Sequence, residues 1–81
     1  MEELVRAIVE PMIANKASLM IKTVPSIDEK YLEVLVITDK VDTARLIGKG
    51  GSVASAIRKV VSVKSRLENT HIHVKFESYD E

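Results

Sequence analysis

The sequence predicts an α+β fold: one domain over residues 1–81 in the order α-β-β-α-α-β, with a three-stranded sheet covered on one face by three helices. Three observations carry this. Apolar residues recur at helical spacing near the start of the chain and again from Val53 to Leu67. Two runs of branched apolar residues flank a turn at Pro25 to Lys30, and a stretch near the end alternates apolar with polar. All three glycines, Gly48, Gly50 and Gly51, fall within four positions, which marks one special turn rather than general flexibility.

Glu2 to about Asn15 reads as an amphipathic helix with Leu4, Val5, Ile8, Met12 and Ile13 toward the core. Pro11 lacks an N–H and crowds the preceding turn, and because the stripe continues across it a kink is expected there. Leu19 to Val24 and Tyr31 to Thr38 read as strands, and the short connection between them predicts an antiparallel hairpin. Asp39 and Asp42 are N-cap candidates for a short helix ending at Gly48.

A long helix follows from about Ser52 to Leu67, with Val53, Ala56, Ile57, Val60, Val63, Lys64 and Leu67 at helical spacing. Glu68-Asn69-Thr70 breaks it, with Asn69 suited to a left-handed C-cap. His71 to Ser78 alternates as a final strand, Ile72, Val74 and Phe76 on one face and His71, His73, Lys75 and Glu77 on the other.

Composition excludes several classes. There is no cysteine, hence no disulfide scaffold and no thiolate metal site. Three aromatics, Tyr31, Phe76 and Tyr79, are too few for the base-stacking platform of an RRM domain. No apolar run approaches a membrane span, and Met1-Glu2-Glu3 is the wrong flank for a signal peptide, so a cytoplasmic protein is expected. His71 and His73 share a strand face but have no third ligand and read as surface histidines; no metal or cofactor is expected. Gly48 to Ser52 lacks the residues of a nucleotide-binding P-loop. Asp39 and Asp42 read as helix caps rather than an acid/base pair, and nothing else in the chain predicts an enzyme.

Net charge is zero, but it is unevenly spread. Residues 1–44 hold five Lys or Arg against eight Asp or Glu, whereas residues 45–75 hold seven against Glu68 alone. A basic segment centred on the glycine turn is the footprint of a nucleic-acid module. Lys49 sits at the tip of the turn, and the helix after it offers unpaired N–H groups that suit a phosphate. The expected roles follow. Lys49 and the N–H groups of Gly50, Gly51 and Ser52 hold phosphates, Arg45, Arg58 and Lys59 add charge, and Ile47 and Val53, with parts of the last strand, contact bases.

Ile47-Gly48-Lys49-Gly50-Gly51 resembles the I-G-x-x-G loop of KH domains, RNA-binding modules whose loop clamps about four nucleotides of backbone. With Val9-Glu10-Pro11-Met12-Ile13 in the opening helix and Ala56-Ile57-Arg58 after the loop, nearly the whole chain resembles the KhpA-type family, small single-KH proteins of bacteria. The resemblance implies a type II KH domain that binds single-stranded RNA and acts as an RNA chaperone. It implies a homodimer, a heterodimer with a larger KhpB or Jag-type KH protein, or both, in control linked to cell-wall synthesis and cell elongation. Two departures stand out. Ala54 occupies a place where KH domains usually carry a bulky aliphatic, and Lys49 is the loop's single cation where relatives often have two, which implies weaker RNA binding. The rival expectation is a protein–protein interaction module in which RNA binding is incidental.

Overall fold

The computed structural model describes residues 2–27 and 31–79. Helix α1 spans Glu2–Val9, strand β1 Met20–Pro25, β2 Leu32–Thr38, helix α2 Lys40–Ile47, helix α3 Ser52–Leu67 and strand β3 Ile72–Ser78. The order is α-β-β-α-α-β as expected, and the three helices lie over one face of a three-stranded sheet.

The first helix ends sooner than its apolar stripe implies. After Val9 the chain tightens into a single 3-10 turn, Glu10–Met12, and leaves it at Ile13 in an extended conformation. No kinked helix continues to Asn15. Pro11 cannot donate the next helical hydrogen bond, and the Ala14 and Asn15 N–H groups find a better acceptor elsewhere, the Asp42 carboxylate. Val5, Val9 and Ile13 are buried and Ile8 packs on them, but Met12 is exposed rather than core.

Strands β1 and β2 pair antiparallel, with Ile21 opposite Val36, and the Ser26 N–H donates to the Tyr31 carbonyl at 2.9 Å to close the hairpin. The Asp28–Lys30 part of the predicted turn lies outside the described residues. β2 is central, and its other edge pairs in parallel with β3, Val34 opposite Val74. Alternation then sorts the faces. Ile21, Val34, Val36 and Val74 point into the core, while Leu35, His73 and Lys75 lie on the face that no helix covers.

Asp39 caps α2, its Oδ1 accepting the Asp42 N–H at 2.9 Å. Asp42 is not a cap of its own helix; its carboxylate turns away to the segment after α1. Helix α3 matches the predicted span, and Asn69 behind it is left-handed at φ 55°. Its inward face differs from the expected one. Ala54, Ile57, Val61 and Ser65 are buried, whereas Val60, Val63 and Leu67 stand 52%, 58% and 79% exposed. Two overlapping stripes share Ile57, and the core takes the one with the small residues Ala54 and Ser65. Ala54 is therefore an internal residue.

Candidate nucleic-acid interface

The turn between α2 and α3 is shaped by three glycines at positive φ, of which Gly48 has the strictest requirement. Gly48 takes φ 74° and ψ 175°, a region essentially closed to other residues. A Cβ there would also lie 2.5 Å from Val53 Cγ2. Gly50 and Gly51 follow at φ 63° and 79°, both left-handed, with open space where a side chain would be. The three reversals bring the chain out of α2 and straight into α3, with Lys49 exposed at the apex.

The donors of this turn divide unequally. The Gly51 N–H donates to the Gly48 carbonyl at 3.2 Å, and the Ser52 N–H to the Lys49 carbonyl, so both are committed to the turn itself. The Gly50 N–H makes no hydrogen bond among the described residues and remains open beside Lys49. Ser52 is exposed, and no side chain caps the start of α3. Ile47 is partly exposed before the turn, while Val53 after it is half-buried against the core.

The cations gathered by sequence take different partners once folded. Arg45, half-exposed at the end of α2, has its guanidinium 3.9 Å from the buried Asp42 carboxylate. Arg58 is held firmly: its Nε donates to the Val74 carbonyl on the outer edge of β3 at 3.0 Å, and its guanidinium lies 5.6 Å above the Phe76 ring. Lys59 is exposed on α3 beside it. The Asp42 carboxyl is shifted downward. The N–H groups of Ala14 and then Asn15 hold its carboxyl below the usual carboxylate range, with Arg45 and Lys16 adding to the effect against the opposing pull of burial.

Between α3 and the edge strand β3 runs an open cleft of about 380 Å³, lined by Arg58, Ser62, Ile72, His73, Val74 and Lys75. Of these the sequence points to Arg58 and, without naming residues, to parts of the last strand; Ser62 comes to the cleft through the packing of α3 on β3. The alternation of the last strand places Ile72 and Val74 on one face, and the packing of α3 decides which strand residues line the cleft.

A glycine turn between two helices, beside a sheet in which the last strand runs parallel to the central one, is the arrangement of a type II KH domain, a class of RNA-binding module. The family model described as KhpA/KhpB, KH domain, matches residues 2–76, and the chain belongs to that family. No curated protein matches the chain. Among the described residues no helix is long and apolar enough to cross a membrane.

Proposed function

We propose that this chain binds single-stranded RNA by its backbone and acts in the cytoplasm as an RNA chaperone. In this reading it works with a larger KhpB or Jag-type KH protein, in post-transcriptional control linked to cell-wall synthesis and cell elongation. The observation that carries the reading is the left-handed glycine turn, which leaves Lys49 and the Gly50 N–H projecting at the start of α3, the helix that further along walls the α3/β3 cleft. Lys49 and the Gly50 N–H take phosphates, with Gly48 and Gly51 shaping the turn around them. Arg45, Arg58 and Lys59 supply the surrounding charge. Ile47, Val53 and the wall formed by Ile72 and Val74 contact bases. Such a site positions a strand more than it selects a sequence.

The same chain has a second surface. Val60, Val63 and Leu67 form an exposed apolar stripe on the flank of α3 turned away from Arg58 and Ser62. We assign to it the association with a second KH chain, which leaves the RNA side open. This stripe also favours the rival reading, a dimerisation module with incidental RNA binding.

Salt separates the two. If two or three phosphates are neutralised, log K falls with log salt with a slope of roughly −1.4 to −2.1. Lys49→Ala makes the slope shallower by about one contact, roughly 0.7, whereas Lys22→Ala on β1 leaves it unchanged. The double change Lys49→Asp with Gly50→Asp abolishes binding in a folded protein. A wild-type slope near zero, or equal effects of Lys22→Ala and Lys49→Ala, removes the loop from the mechanism and leaves the interaction module.

A further inference from the structure

We propose a second nucleotide site on the open face of the sheet, where a base of the strand leaving the α3/β3 cleft stacks on the paired rings of Tyr31 and His73. The inference rests on the RNA-binding reading and extends the footprint past the glycine turn.

Tyr31, just before β2, and His73, on β3, stack with ring centroids 4.0 Å apart and planes 18° from parallel. The scarcity of aromatics in the sequence predicts no stacking platform, but that count omits histidine, whose ring stacks nucleobases as well. The pair lies at the rim of a second open cleft, of about 460 Å³, lined by Pro25, Ile27, Tyr31, Glu33 and Lys75. Ile27 is fully exposed there, an apolar side chain with no partner to cover it among the described residues.

This cleft continues the first. Lys75 lines both, and His73, in the wall of the first, carries the ring that stacks on Tyr31 in the second. A strand following the cleft between α3 and β3 therefore meets the edge of β3 and crosses it at His73 and Lys75. Among the described residues Glu33 is the one acid lining this path, and its carboxylate is held by Lys75 Nζ at 2.9 Å, which offsets its repulsion of phosphate. Stacking on an aromatic face tolerates any base, so the site lengthens the footprint without dictating sequence.

The test compares an unstructured tetranucleotide with an octanucleotide of the same repeated sequence, using the full chain. The octanucleotide should bind about tenfold more tightly, beyond the statistical gain from its extra registers. Tyr31→Ala should remove that gain and leave tetranucleotide affinity unchanged. The chain has two tyrosines and no tryptophan, so in a Tyr79→Phe background Tyr31 is the sole fluorophore. The octanucleotide should quench it and the tetranucleotide should not, which gives a readout even where Tyr31→Ala fails to fold. An octanucleotide that binds no more tightly, or leaves Tyr31 unquenched, overturns the second site while the loop site stands. If neither oligonucleotide binds, the RNA-binding reading itself fails.

Discussion

The Asp42 carboxylate is seated on the backbone of Asn15, Oδ2 accepting its N–H at 2.9 Å while Oδ1 accepts that of Ala14 at 3.0 Å. Its side chain is only 1% exposed. One residue near the start of α2 thus supplies the acceptors that the chain lost when α1 stopped at Val9.

Acid should loosen this tie. The folded-state pKa of Asp42 lies below its unfolded value, near 3.8, so its stabilisation is complete above that value and disappears as pH falls through the folded one. Asp42→Asn replaces one acceptor oxygen with an amide N–H that faces a backbone donor. We expect a lower melting temperature at neutral pH, and a gap to wild type that narrows toward pH of about 2. Thermal melts across that range check both; a constant gap would detach the effect from ionisation.

The glycines should rank by geometry. Gly50→Ala and Gly51→Ala meet open space and lose only the left-handed backbone preference, about 1 kcal/mol each. Gly48→Ala adds the collision with Val53 to a worse backbone region and should cost more than either. Denaturant titration of the three variants reads the order directly.

Helix α3 offers a paired test of its inward face. Ile57→Ala empties a fully packed position and should destabilise by about 2–5 kcal/mol. Val60→Ala, on the exposed flank, should stay within about 0.5 kcal/mol in the isolated chain. Similar losses for the two would reverse the assigned orientation of the helix.

Arg58 separates position from charge. Arg58→Lys keeps the cation but loses the Nε hydrogen bond to Val74 and the planar stack over Phe76. RNA affinity should fall several-fold while the slope of log K against log salt is unchanged, since the same number of phosphates is neutralised. An unchanged affinity would mean that charge alone was at stake.

Much of the fold is legible because its chemistry is local. The glycines at 48, 50 and 51, the hairpin around Pro25, the Asp39 cap and the left-handed Asn69 each declare themselves within a few residues. What escapes is decided by partners far along the chain. The end of α1 depends on Asp42, some thirty residues on, and the buried face of α3 depends on which of two apolar stripes the sheet accepts. The candidate site divides the same way. Lys49 and its glycines are visible in sequence; the strand wall of the cleft and the Tyr31–His73 stack exist only once β3 lies beside β2.

The parallel pairing of β2 with β3 sets a rule for how this molecule comes into being. Leu32 meets Ile72 and Thr38 meets Ser78, partners separated by the whole of α2, the glycine turn and α3. As the chain emerges from a ribosome, the β1–β2 hairpin forms early but keeps one bare edge until the last strand is made. The chain cannot mature piece by piece: closing so long a loop must precede its reward, and a bare edge in the interval invites pairing with a neighbour. The decisive step is therefore the arrival of β3, and a nascent chain halted before Ile72 carries the glycine turn beside an incomplete sheet.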